Sequence, residues 1–316
     1  MRVIAGSASI EVPFRRPIVT IGNFDGVHLG HRAILETVAR RAADLDGEAV
    51  VYTFDPHPRK VIRPGDAPGL LTTLEQKIEL LEQSGADAVI VEPFTEAFSK
   101  TGADEFIREH LKRRVGPVEV YVGYDFHFGR DRQGSMRMLT ETGPLLGFSV
   151  TIIPEVTMEE GDVNSTRIRQ LLADGEPERA ARMLGRPFTA RGRVVAGDRR
   201  GRSIGFPTAN LEAENEVLPA RGVYAGHLLL LDAGDPRPGV RLPAVINVGS
   251  RPTFRTPGTV LAEAHVIDWS GDLYGRRVDL SFEIRLRAER KFPSADALGK
   301  QIAADVEEGR RRLGAL

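Results

Sequence analysis

The stretch from Thr20 to His31, Thr-Ile-Gly-Asn-Phe-Asp-Gly-Val-His-Leu-Gly-His, limits the fold more than any other part of the chain. It follows a β-branched run, Ile18 to Ile21, and precedes an amphipathic segment with Ile34, Leu35, Val38 and Ala39 on one face. That order reads as strand, glycine loop, helix. Gly22 and Gly26 permit a tight turn and a close approach of backbone to ligand. The helix start then offers free N–H groups and the positive end of its dipole to an anion. His28 and His31, three apart, fall on one side of that helix. Two imidazoles placed there can hydrogen-bond a phosphate and the charge that develops on it during transfer. The stretch describes a phosphate site without a Walker lysine.

The following segments fit a parallel sheet. Ala49 to Phe54, Ala88 to Val91, Val118 to Val122 and Ser149 to Ile153 read as further strands. Helices are expected after Thr72 or Thr73, with Leu74, Ile78 and Leu81 inward, and after Thr101, with Phe106, Ile107 and Leu111 inward. This alternation implies a doubly wound, Rossmann-like α/β domain with ligands at the carboxyl ends of its strands. Asp55-Pro56-His57-Pro58 reads as an extended, rigid loop. Gly123 to Arg130 is aromatic and glycine-rich, suited to a planar ligand. In Asn164-Ser165-Thr166-Arg167-Ile168-Arg169, Ser165 or Thr166 suits a helix N-cap and Arg169 a phosphate fork.

Near Gly185-Arg186-Pro187 the helical spacing stops. Short alternating segments follow at Thr189–Val195, Gly222–Leu231, Ala244–Val248, Val260–Ile267 and Val278–Arg287, as in a small antiparallel barrel. A closing helix follows Ser294, with Leu298, Ile302, Val306 and Leu313 near helical spacing. The chain has 316 residues, room for two domains of about 100–200 residues. We expect residues 1–186 and 187–316 to form them.

With a formal net charge of −1, nothing pulls the whole chain toward nucleic acid or an anionic membrane, so phosphate recognition must be local. The chain has no cysteine, which excludes disulfides, thiolate catalysis and cysteine-zinc modules. No secretory signal is legible at the start, and no apolar run nears the ~20 residues of a membrane span. A cytoplasmic protein is expected, its oligomeric state left open, a homo-oligomer included.

A second site is written into the barrel half. Gly197, Gly201 and Gly205 precede Phe206-Pro207-Thr208-Ala209-Asn210-Leu211. These glycines let backbone amides wrap a phosphate chain, though no P-loop follows. Thr208 and Asn210 present hard oxygen donors two residues apart, as Mg²⁺ shared with a nucleotide requires. Glu263 stands among small and apolar neighbours, where a carboxylate can take the proton of an attacking hydroxyl. His265 reads as a packed or rim residue, and Trp269 and Tyr274 as barrel packing. Arg199, Arg200 and Arg202 read equally as phosphate contacts or as a solvated loop.

These motifs resemble the bacterial bifunctional riboflavin kinase/FAD synthetase family over roughly Pro17 to Gly309. His28-Leu29-Gly30-His31 matches the His-x-Gly-His of its nucleotidylyltransferase domain, and Asn164 to Arg169 its second nucleotide motif, with Asn164 in place of a serine. Thr53 to Pro58 and Gly123 to Gly129 match its FMN pocket, with His127 where arginine or lysine is more common. Gly205 to Leu211 carries the Pro-Thr-Ala-Asn motif of its six-stranded riboflavin kinase barrel. Asn247-Val248-Gly249, Arg251 to Phe254 and Gly271 to Gly275 fit the same pattern.

The resemblance implies two reactions, riboflavin plus ATP to FMN and ADP, then FMN plus ATP to FAD and pyrophosphate, with Mg²⁺ at both sites. It implies Glu263 as base of the first, and His28, His31 and Arg169 in the second. ATP contacts are implied for Gly22, Phe24, Asp25, Gly26, Ser165, Thr166, Gly201 and Gly205. Flavin contacts are implied for Pro56, His57, Pro58, Asp125 and Phe128, and metal contacts for Thr208 and Asn210. Two other readings stand beside it. One is an adenylyltransferase for another phosphate-bearing substrate, such as phosphopantetheine or nicotinate mononucleotide, with a barrel that only binds. The other is a flavin-sensing or nucleic-acid-binding protein, against which the near-neutral charge argues.

Overall fold

The structure is a computed structural model that describes residues 1–159, 161–196, 205–231, 239–250 and 260–314. It divides into two compact units, one of Met1–Gly69 with Leu74–Asn164, the other of Leu70–Thr73 with Ser165–Leu316.

The first unit is built on six strands: β1 (Arg2–Ala5), β2 (Pro17–Ile21), β3 (Glu48–Asp55), β4 (Ala88–Pro93), β5 (Glu119–Gly123) and β6 (Ser149–Ile153). They lie in the order β1-β4-β3-β2-β5-β6, all parallel. Five of these strands match the expected segments; β1 is additional, a four-residue edge strand that pairs with β4 from Arg2↔Ala88 to Ala5↔Val91.

Alternation along the strands sends apolar side chains to both faces, as in buried parallel sheets. Val19, Ile21, Val50, Tyr52, Ile90, Val120 and Val122 pack with Phe106, Ile107, Leu111 and Leu139. On the other face Ile18 and Ala49 pack under helix α1 (Leu29–Asp44), where Ile34, Val38 and Ala42 are buried. Val51 and Val89 pack with Leu35 of α1 and Leu81 of helix α2 (Leu74–Gln83). The sheet is therefore doubly wound. The chain progresses from β2 to β3 on one side, then returns to place β5 on the other side of β2. A crevice at the carboxyl ends of β2 and β5 is the switch point where such sheets take ligands.

Three local expectations change. Leu74 and Ile78 are only half-buried on α2, whereas Lys77 is buried, because one lysine stem and its head fit inward where the loops supply acceptors. The helix after Thr101 is capped by Gly102 and runs as a π-helix over Phe106–Val115, with His110 buried beside the expected apolar residues. The Asp55–Pro58 segment is not extended throughout. The Asp55–Pro56 bond is cis, and Pro58 opens a short helix, Pro58–Ile62, since proline suits the first helical position. A further helix, α3 (Met136–Leu145), precedes β6.

The second unit begins with helices α4 (Ser165–Ala173) and α5 (Pro177–Leu184). Both pack on the barrel that follows: Ala220 N–H donates to the Leu172 carbonyl at 2.8 Å, and Arg285 N–H to Glu178 at 3.0 Å. The barrel strands are β7 (Phe188–Val195), β8 (Ala209–Ala213), β9 (Gly222–Leu230), β10 (Arg241–Ser250), β11 (Val260–Val266) and β12 (Arg277–Phe282). Their order, β10-β11-β8-β7-β12-β9, closes through β9 pairing with β10. This is the expected antiparallel barrel of six strands. A short β13 (Ile284–Arg287) continues β12 along β9 after one extra residue, Glu283. At that bulge a Cβ on Gly226 would collide with the Ser281 carbonyl, so glycine is required there. Helix α6 (Ala295–Leu313) closes the unit, capped by Ser294 Oγ on the Ala297 N–H at 3.2 Å. Tyr274 is 46% exposed and does not pack the barrel, because the turn at Asp272 to Gly275 carries it outward; Trp269 is half-buried, its indole bonded to the Gly271 carbonyl.

Candidate active sites

In the first unit the Gly22-to-Gly26 loop leaves β2 and turns back to the start of α1. Gly22 N–H donates to the Tyr52 carbonyl at 3.0 Å, which holds the loop to β3. Gly26 has φ of +81°, and Phe24 and Val27 also have positive φ. The cost of that backbone is offset by burying both side chains, each 1% exposed. Phe24 thus packs in the core under the loop, its ring edge-on to His31 at 5.1 Å.

His28 is the N-cap of α1, with Nδ1 accepting the His31 N–H at 3.3 Å. That bond leaves the ring proton on Nε2. The His28 and His31 rings stack at 3.6 Å, 18° apart. Gly30 makes room for this arrangement: a Cβ there would lie 3.2 Å from both the His28 ring and the Val163 carbonyl. The spacing His-x-Gly-His is therefore a packing requirement of two stacked imidazoles at a helix start.

The aromatic loop after β5 forms a two-residue hairpin, His127–Phe128 against Gly134–Ser135. Phe128 is 8% exposed, taken up by the core, with Phe126 stacked on it at 5.4 Å. Asp125 is exposed and folds back near Gly123. Tyr124 donates to Glu155 at 2.6 Å, which pushes the phenol up to about 12, chiefly through that hydrogen bond. His57 caps the short helix by accepting the Arg59 N–H; Pro56 is exposed and Pro58 half-buried.

In the second unit, Ser165, Thr166 and Arg169 stand in the first turns of α4, Thr166 exposed and the other two half-buried. Gly201, like Gly197, Arg199, Arg200, Arg202 and Arg251 to Phe254, lies outside the described residues. Gly205 is exposed with φ of +86°.

The barrel register assembles what the sequence leaves scattered. Glu263 on β11 is opposite Asn210 on β8 and opposite Asn247 on β10. Cross-strand partners share a face, so the carboxylate is flanked by two carboxamides, with Asn210 only 5% exposed. His265 pairs with Val245 on that same face. Val245 packs with Val306 and Ile302 of α6, so the site is on the outer face that the helix covers farther along. His265 Nδ1 is 2.9 Å from the Pro207 carbonyl and its ring is edge-on to Phe206, pinning the loop that carries Thr208. A cleft of about 420 Å³ lies between Phe206 and Ala295, Asp296, Gly299, Lys300 and Ala303 of α6. Asn247's place beside Glu263, His265's bond and this cleft depend on pairing and packing, and no local signal marks them.

A glycine loop at the switch point of a doubly wound sheet, followed by paired imidazoles, and a barrel carboxylate between two carboxamides together define an enzyme that moves phosphorus groups of nucleotides. The family model for FAD synthetase matches residues 12–167 and that for riboflavin kinase residues 184–313. The bifunctional riboflavin kinase/FMN adenylyltransferase of Pseudomonas fluorescens is 37% identical over 98% of this chain and 97% of its own. That of Escherichia coli K12 is 38% identical over 99% and 98%. A crystal structure described as a macrolide-efflux protein from Streptococcus pneumoniae has a TM-score of 0.86 at 30% identity, covering 98% of both chains. Among the described residues no helix is long and apolar enough to cross a membrane. The chain belongs to the family of bifunctional riboflavin kinase/FMN adenylyltransferases.

Proposed function

We propose that the chain makes FMN from riboflavin and FAD from FMN by two ATP-dependent transfers, the first in the barrel and the second at the parallel sheet, with residues 187–316 and 1–186 as the working division. The observation that carries the first assignment is Glu263 held in register between Asn210 and Asn247. Its carboxylate takes the proton of the ribityl 5′-hydroxyl as that oxygen attacks the γ-phosphorus of ATP. The new P–O bond forms as the bond to the β,γ-bridging oxygen breaks, and ADP leaves. The cleft beside Phe206 and α6 is suited to the flavin ring.

The Thr208 hydroxyl and the nearly buried Asn210 carboxamide, beside a carboxylate, are hard oxygen donors that fit Mg²⁺. When bound, the ion neutralises phosphate charge; orientation and proton removal fall to the side chains.

In the second reaction an FMN phosphate oxygen attacks the α-phosphorus of ATP and pyrophosphate leaves. His28 donates from Nε2 and His31 stands beside it at the α1 N-terminus, where negative charge on the transferring group is stabilised. Gly22, Asp25, Gly26 and the Phe24 backbone accommodate the nucleotide, and Pro56, His57, Pro58, Asp125 and Phe128 shape the flavin side. Ser165, Thr166 and Arg169 carry the nucleotide contacts that their motif assigns, and Gly201 and Gly205 those of the kinase. ATP is a cytoplasmic co-substrate, and we place both reactions in that compartment.

Purified flavin-free protein incubated with riboflavin, ATP and Mg²⁺ tests this reading by chromatography over time. FMN rising before FAD is the expected result. FMN alone overturns the second assignment, and no product from folded protein overturns both.

A further inference from the structure

Lys77 has no counterpart in the motifs, yet it is among the most buried charged side chains of the first unit, at 8% exposure on α2. An ammonium survives such burial only where its protons find acceptors. Its Nζ donates to three uncharged oxygens: the Asn23 carbonyl at 3.4 Å, Thr53 Oγ1 at 3.3 Å and the Phe54 carbonyl at 3.2 Å. Thr53 Oγ1 donates in turn to the Asn23 carbonyl at 3.2 Å. Burial pulls the Lys77 pKa down, and the charges of Asp55 and Asp25 pull against it.

These acceptors are where function would be set. Asn23 is inside the glycine loop that leaves β2, and Phe54 is at the carboxyl end of β3, where the Asp55-to-Pro58 loop departs. One cation on α2 therefore ties the glycine loop to the last residues of β3, from which the proline loop departs. A residue kept only for stability would be apolar here, since a buried charge is a poor source of stability against an apolar side chain of like volume. What the charge adds is a fixed geometry between the two loops, and transfer between bound groups is sensitive to displacements of that scale.

We propose that Lys77 is a positioning residue for adenylyl transfer, holding the glycine loop and the proline loop in the spacing at which the two substrates react. This rests on the assignment of FMN adenylylation to the first unit, and it adds a residue that acts through backbone rather than on substrate.

The test uses the full chain with Lys77→Met, which removes all three donors at similar volume, and Lys77→Gln, which keeps two. Steady-state kcat and KM for FMN and ATP are measured for FAD formation, and riboflavin phosphorylation is measured on the same samples, with folding followed by circular dichroism. For Lys77→Met we expect kcat for FAD formation to fall at least 30-fold, both KM values to stay within threefold, and phosphorylation to stay within twofold. Lys77→Gln is expected between this variant and the parent. A folded Lys77→Met with kcat within threefold of the parent overturns the proposal, as does an equal loss of both activities. If Lys77→Met does not fold, Thr53→Val removes one acceptor and leaves the lysine: a threefold or larger fall in kcat for FAD alone supports the proposal, and no fall overturns it. A parent protein that makes FMN but no FAD overturns the underlying assignment instead, so the two failures are distinct.

Discussion

Replacing Glu263 by glutamine separates proton removal from every other contribution of that side chain. Glu263 stands in the middle of β11, with Ala262 and Ala264 buried on the opposite face and Asn210 and Asn247 flanking it across the strands. Glutamine keeps the volume and one carbonyl oxygen toward these neighbours but cannot accept the hydroxyl proton. A positioned general base contributes about 10²–10⁴ in rate, which at about 1.36 kcal/mol per decade is roughly 3–5 kcal/mol of barrier. An alcohol is a poor acid, so we expect the middle of that range, a loss of about 10³ in kcat for FMN formation. The side chain is half-exposed, so the barrel's stability should change by no more than about 0.5 kcal/mol. FMN supplied directly should still become FAD at the parent rate. Chromatography of separate riboflavin-fed and FMN-fed reactions reads both numbers. A loss below tenfold in FMN formation would refute the role of base, and a parallel loss of FAD formation would refute the separation of the sites.

Other expectations follow from the same geometry. With both His28→Ala and His31→Ala, FMN should accumulate and FAD formation stop; continued FAD formation would remove the imidazoles from the reaction. Gly30→Ala places a methyl 3.2 Å from the His28 ring and the Val163 carbonyl, a displacement of a few tenths of an ångström that should lower kcat for FAD about tenfold, read in FMN-fed assays. Asp305 is 6% exposed and takes three bonds from Arg287, so Asp305→Ala should destabilise the second unit by about 3–5 kcal/mol in urea unfolding. Burial would raise the Glu283 pKa, but hydrogen bonds from Ser281 and His227 and the charges of His227 and Arg241 outweigh it and hold the group below the usual range. Its stabilisation is therefore present above the ordinary carboxylate pKa and lost as pH falls through the lower folded value. The stability gap between parent and Glu283→Gln should close on acidification below about pH 4, and a gap independent of pH would show that the charge contributes nothing.

What the sequence determined by itself is what near neighbours along the chain decide. The His28–His31 spacing, the glycine loop before α1, the Ser294 cap and the alternation of the barrel strands depend on residues two to four apart, where helical and extended geometry already sets who meets whom. The doubly wound sheet and the barrel were legible for that reason, and so were the motifs of both sites. Tertiary structure decided the rest. The edge strand Arg2–Ala5 carries no alternation of its own and exists through pairing with β4. Lys77 lies inside because three oxygens, one from the glycine loop and two from the end of β3, converge on it, and Tyr274 lies outside because its turn points away from the barrel. Asn247 joins Glu263 through strand register alone. Register and burial are properties of chain segments brought together from far apart, and no local pattern records which distant partner will arrive.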